Sequence, residues 1–147
     1  MTIPLFDESS GNLPPGVHLA TWDEIATAFG TNARRKALLD GFLRAVASLR
    51  SAGCARAYLD GSFVSTTDAP GDFDACWEPA GVDSSKLDAV LLDFTRRRAA
   101  QRARYGGELF IASALADGEN TFLEFFRTDK HTGEQKAIVS IDLGGLP

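Results

Sequence analysis

The clearest periodic signal along the chain is an apolar stripe at helical spacing. Leu38, Phe42, Ala45, Val46 and Leu49 recur on one face and predict a helix over residues 32–52, with Gly53 as a left-handed stop. A shorter helix should precede it. Thr21-Trp22-Asp23-Glu24 has capping-box spacing, in which the Thr21 hydroxyl and the Glu24 carboxylate satisfy free backbone donors, and Gly30 supplies the end. Leu87, Val90, Leu91 and Phe94 share a face and predict a third helix from near Ser84 to Tyr105, with Ser85-x-x-Asp88 as its cap. Alternation takes over elsewhere. Residues 55–59 favour a short strand, and in residues 72–78 Phe73, Ala75 and Trp77 alternate with Asp72, Asp74 and Cys76, which sends both carboxylates to one face. Phe122, Leu123, Phe125 and Phe126 make residues 121–127 read as a largely buried strand interrupted only by Glu124. A turn at His131-Thr132-Gly133 then leads to a last strand over residues 137–143. Residues 108–115 fit strand or helix equally well.

These elements predict an α/β or α+β domain, a small mixed sheet with helices covering its apolar faces. Pro4, Pro14, Pro15 and two glycines mark residues 1–17 as an extended arm, leaving residues 18–147 as the single folded domain. A length of 147 residues suits one sizeable core, and 44% hydrophobic residues with ten Phe supply it. The net charge of −5 excludes a protein that coats nucleic acid over its whole surface. A local basic patch is still present, because Arg96, Arg97, Arg98, Arg102 and Arg104 fall in an eleven-residue stretch with no acidic residue. That stretch is either a solvated helix face or a binding surface for RNA or phosphate. No run of eighteen apolar residues and no charged start before an apolar stretch appears, so the expectation is a soluble cytoplasmic protein without a membrane partner. Cys54 and Cys76 lack CxxC spacing, with only His18 and His131 to join them, which argues for small buried residues rather than a zinc site.

Three features carry candidate chemistry. A carboxylate among four large apolar side chains needs a compensating partner, so Glu124 is expected to face a metal; the alternative is that it shares a solvated face with Phe122 and Phe126. Asp72 and Asp74, at i and i+2 on one strand, bring two carboxylates within reach of divalent cations. Gly61-Ser62, after the first of these strands, lets phosphate oxygens approach the backbone and adds a hydroxyl donor.

Gly61-Ser62, Asp72-Phe73-Asp74 and a later acid in an apolar strand resemble the signature of the polymerase-beta-like nucleotidyltransferase superfamily, whose small members include the minimal nucleotidyltransferases of toxin–antitoxin pairs. The segments LPPGVHLATWDEI, DGSFV, DFDACW, YGGEL and FLEFFRTDKHTGEQKAIV more closely resemble a group of short bacterial proteins without established activity. The superfamily resemblance implies transfer of a nucleotide from a nucleoside triphosphate to a protein or RNA hydroxyl. Asp72, Asp74 and Glu124 would hold magnesium or manganese ions, and Gly61-Ser62 would receive the triphosphate. Lys130 and Lys136 are further candidates for phosphate contacts, although a polar surface hairpin explains them equally well. Minimal nucleotidyltransferases usually place an arginine soon after Gly-Ser, whereas this chain has Phe63-Val64-Ser65-Thr66-Thr67. That departure favours a second expectation, a catalytically inactive binding protein on the same fold, antitoxin-like or regulatory. Leu59-Asp60-Gly61-Ser62 also resembles the nucleophile loop of haloacid-dehalogenase-like phosphatases, but Tyr58 occupies the nucleophile position and removes the aspartyl-phosphate step. Asp60 then reads as a turn or strand-end residue.

Overall fold

Local hydrogen bonds start the first two helices as the sequence predicts. In the computed structural model, which describes Ile3, residues 13–60, Phe63 and residues 71–128 and 132–147, the Thr21 hydroxyl accepts the Glu24 N–H at 3.2 Å and the Glu24 carboxylate accepts the Thr21 N–H at 3.1 Å. This reciprocal cap opens α1 (Trp22–Phe29), which closes at Gly30. Asn32 caps α2 (Ala33–Ser51) by accepting the Arg35 N–H, and Gly53 follows the helix with φ +100°. The predicted stripe is the buried face of α2: Leu38, Phe42, Ala45, Val46 and Leu49 all lie in the core.

Five strands among the described residues make one mixed sheet. β1 (Gly16–Ala20), β2 (Arg56–Asp60), β3 (Phe73–Trp77), β4 (Gly107–Ile111) and β5 (Ala137–Asp142) stand in the order β1-β5-β2-β3-β4. β1 runs parallel to β5 and β3 parallel to β4, while β2 is antiparallel to both β3 and β5. The architecture is therefore the expected α+β fold. β1 starts at Gly16, so the end of the proposed arm is already sheet; residues 4–12 of that arm lie outside the described residues.

The third predicted helix is broken. Two 3-10 turns, Ser84–Lys86 and Ala89–Leu92, precede α3 (Thr95–Tyr105). Asp83, Asp88 and Asp93 each accept the backbone N–H two residues ahead, and these side-chain turns compete with a continuous helix. The buried Gln101 then fixes α3 to the sheet, donating to the Leu91 carbonyl and accepting the Leu109 N–H at 2.8 Å.

The strand expected over residues 121–127 is a short helix, α4 (Phe122–Phe126). Its start is tied to the segment after β4, since Phe122 N–H donates to the Ala114 carbonyl and Leu123 N–H to that of Ala112. One face of the sheet packs Leu59, Phe73, Ala75, Leu109, Val139 and their neighbours against α1 and α2. The other face packs Cys76, Phe110 and Ile138 against Phe122, Leu123 and Phe126 of α4. Cys54 and Cys76 are both buried and free, as expected.

Gly41 marks the closest approach of α2 to the end of α3. A Cβ there would stand 1.8 Å from the Tyr105 carbonyl oxygen, a backbone atom that cannot turn aside. Gly41→Ala is expected to cost about 2 kcal/mol or more through forced separation of the helices, measured by urea denaturation. A stability equal to wild type would show that α2 and α3 are not held at this distance.

Candidate functional site

Strand register brings three carboxylates abreast. Asp60 pairs with Asp74 across β2 and β3, and Asp74 pairs with Glu108 across β3 and β4. Directly paired residues share a face, and strands lie about 4.8 Å apart, so these acids line up across three strands. They occupy the α4 side of the sheet, because Phe73, Ala75 and Leu109 alternate with them and fill the opposite core. Asp72 stands just before β3, half-buried and two residues ahead of Asp74.

The electrostatics follow from this crowding. Asp74 has its pKa pushed up to about 7, first by burial and then by the negative charges of Asp72, Glu108 and Asp60, with Lys136 opposing. Burial and Glu108 also raise Asp72, against Arg102 and Arg34. Asp60 is the most deeply placed, its side chain 2% exposed, with the Lys136 ammonium 3.9 Å away. Arg102 Nη1 lies 2.7 Å from Glu108 Oε1. Lys136, expected near phosphate, thus stands at the acidic row.

Glu124 is elsewhere, which corrects the expectation that it faces a metal. Phe122 and Phe126, at i and i+4 of α4, turn inward onto Phe110, with ring centroids 4.7 and 5.0 Å away. Glu124 falls on the outer face of the helix and is exposed. Its carboxylate accepts the Thr121 N–H and the Thr121 hydroxyl, both at 3.0 Å, and these bonds hold its pKa below the usual carboxylate range; the same hydroxyl also accepts the Glu124 N–H. The compensating partner is a helix terminus. Glu108 carries no local signal of its role, because the β3–β4 pairing that aligns it with Asp74 joins segments more than thirty residues apart. Asp60 is the last residue of β2, the strand-end position that the sequence allows for it, and it is buried there.

The arginine-rich segment divides. Arg104 pairs with Asp88 at 3.1 Å, and Arg96 and Arg97 are exposed. Arg98 turns back over aromatic rings, with its guanidinium carbon 3.8 Å from the Phe110 centroid, 4.9 Å from Phe94 and 5.5 Å from Phe122. Arg96, Arg97 and Arg98 have φ of +51°, +55° and +59°, a left-handed turn that costs roughly 1–2 kcal/mol per residue.

A second pair of arginines sits at the start of α2. The buried Arg35 donates to the Phe63 carbonyl at 2.7 Å, and Arg34 donates to the Gly71 carbonyl. They hold two points of the segment joining β2 to β3, which carries Gly61 and Ser62. A detectable signal existed: cations at a helix N-terminus oppose the macrodipole and so imply another partner. Gly61, Ser62, Lys130 and His131 lie outside the described residues.

A family model of unknown function, DUF6932, matches residues 4–142. The chain belongs to this family. No curated protein and no solved structure matches the chain. Among the described residues, no group of three or more His, Cys, Asp and Glu side chains is arranged to hold a metal ion, and no helix is long and apolar enough to cross a membrane.

Two outcomes are expected. Because the native pKa of Asp74 lies above its unfolded value, the folded protein keeps a proton that the unfolded chain releases between about pH 4 and pH 7. Wild-type stability should fall as pH rises through that window and level off above it. Asp74→Asn should gain on wild type by on the order of 3 kcal/mol between about pH 4 and pH 8 in urea denaturation; a constant gap would mean that Asp74 titrates as a solvated acid. Thr121→Ala should cost about 1 kcal/mol by removing the α4 cap, read from thermal unfolding, and an unaltered Tm would reject the capping role.

Proposed function

We propose that the chain is a metal-dependent nucleotidyltransferase that moves a nucleotide from a nucleoside triphosphate to a hydroxyl of a protein or RNA. Asp72, Asp74 and Glu108 form its acidic trio, with Glu108 taking the part first expected of Glu124. The observation that carries this reading is the register of Asp74 and Glu108 on adjacent parallel strands, with Asp72 beside them. Burial of like charges makes the row a place where added positive charge is favourable, as the raised pKa of Asp74 expresses.

The donor set suits magnesium or manganese in kind, being all carboxylate oxygen. Such ions in phosphoryl-transfer sites commonly take one or two protein carboxylates and complete their shell with water and substrate phosphate, so a full protein cage is unnecessary. A cation held by one or two of the carboxylates of Asp72, Asp74 and Glu108, with water and substrate phosphate completing its shell, would activate the acceptor hydroxyl and neutralise the pyrophosphate leaving group. Asp60 and Lys136 contribute a neutralised pair at the β2 side of the row, and Lys136 keeps a cation near incoming phosphates. Gly61-Ser62 and Lys130 remain the proposed phosphate contacts. Arg34 and Arg35 position the segment between β2 and β3 through its backbone carbonyls.

A second reading has its own support. The Arg102–Glu108 and Lys136–Asp60 pairs already supply counter-charge, which suits a regulatory or antitoxin-like binding protein that has lost catalysis. Incubation with the four labelled nucleoside triphosphates, magnesium or manganese, and protein and RNA acceptors separates the two. Asp74→Ala and Glu108→Ala should each reduce labelling roughly a hundredfold or more, whereas Glu124→Ala should retain it. A stoichiometric partner captured equally by wild type and by the Asp72→Ala, Asp74→Ala double variant, with no labelling by either, would establish the binding protein instead.

A further inference from the structure

Arg98 and Arg102 lie on either side of Gln101, Arg98 in the left-handed turn and Arg102 in the helix that follows it, and both interact electrostatically with Glu108. Arg102 forms an ion pair with it at 2.7 Å, its side chain 37% exposed, and also acts on Asp72. Arg98 is half-buried above Phe110, which follows Glu108 by two residues on the same face of β4. Its Nε is buried and has no hydrogen-bond partner among the described residues. An arginine whose flat faces are covered by rings keeps its donors at the edges, where they suit the oxygens of phosphate. Gln101, between the two, is locked to Leu91 and Leu109, so the helical turn carrying Arg102 is fixed against β4. The left-handed turn at residues 96–98 brings Arg98 to this position at a conformational cost that an ordinary solvated helix face would not require.

We infer that Arg98 and Arg102 form the seat for the polyphosphate of a nucleotide lying over the acidic row, in place of the arginine missing after Ser62. This assignment rests on the nucleotidyltransferase reading and adds the source of its phosphate-binding charge. Arg102 exchanges the Glu108 carboxylate for phosphate oxygens and so frees Glu108, while Arg98 contributes a pre-oriented guanidinium that has little water to lose. Arg104, engaged by Asp88, takes no part.

The test uses calorimetry of the full chain with magnesium tripolyphosphate, which carries the phosphate chemistry common to all four nucleotides, and with manganese alone. Arg98→Gln and Arg102→Gln should each weaken tripolyphosphate binding about tenfold, Arg104→Gln should leave it unchanged, and Arg102→Gln should tighten manganese binding by releasing Glu108. Arg98→Lys, which keeps the charge but loses the flat fork, should fall between wild type and Arg98→Gln. Circular dichroism of each variant distinguishes lost binding from lost folding, and if Arg98→Gln unfolds, the Arg102→Gln result decides. Tripolyphosphate binding that is abolished by Asp74→Asn but indifferent to both arginines would overturn the assignment and leave the nucleotidyltransferase reading standing. Manganese uptake without tripolyphosphate binding by wild type would also overturn it. Uptake of neither would remove both. Titration with a single-stranded RNA oligomer completes the test: if Arg98→Gln and Arg102→Gln weaken RNA binding and leave tripolyphosphate binding unchanged, the assignment is overturned and the arginines belong to a nucleic-acid surface.

Discussion

Asp60, Asp74 and Glu108 lie abreast on three hydrogen-bonded strands, and the fold has to keep those like charges together. Carboxylates one strand apart repel each other, and each would lower its own free energy by moving into water. The opposite face of the same strands prevents that escape. Leu59, Phe73, Ala75 and Leu109 are locked into the core under α1 and α2, and strand alternation converts their burial into the orientation of the acids between them. A shift of one residue in register would bring the acids into the core and the aromatics out of it. The site is thus maintained by apolar packing on the face where no chemistry occurs.

Positive charge arrives at the row from three directions. Lys136 precedes β5, Arg102 comes from α3, and Arg34 from the start of α2, while Arg98 approaches over Phe110. None of these is a close, fully buried pair: the Lys136 ammonium is 3.9 Å from Asp60, and Arg102 is more than one-third exposed. The part-exposed Arg102–Glu108 pair stabilises weakly and can be exchanged for a ligand at little cost, whereas the buried Asp60 keeps Lys136 as its counter-charge. A row with tight internal partners would have no reason to bind anything; this one keeps Asp74 close to neutrality in the absence of a better cation.

Much of the architecture was legible where the determining interaction is local. Thr21 and Glu24, the α2 stripe, Gly53 and the alternation around Asp74 each act within a few residues, and each structure follows from the pattern. Residues 121–127 form a helix rather than the expected strand because local spacing outweighs apolar content there. Thr121-x-x-Glu124 has the same capping-box spacing that identified α1, and Phe122 and Phe126 are one helical turn apart. The rule applied at Thr21 would have moved Glu124 from the site to a helix terminus. The third helix failed because Asp83, Asp88 and Asp93 offer the backbone local partners that an apolar stripe cannot reveal.

Glu108 marks the boundary of what one sequence can disclose. Its neighbours Gly106 and Gly107 announce a turn, and Glu108 and Phe110 alternate with Leu109 and Ile111, but nothing within this segment says which strand lies beside it. The information is in the pairing with β3. There Gly107 fits where any Cβ would meet the Phe73 carbonyl oxygen at 2.4 Å, so the close approach of the two strands depends on a residue without a side chain. That contact sets Gly107 opposite Phe73 and therefore Glu108 opposite Asp74. The glycine which looked like loop punctuation is the residue that brings the acid to its place beside the aspartates.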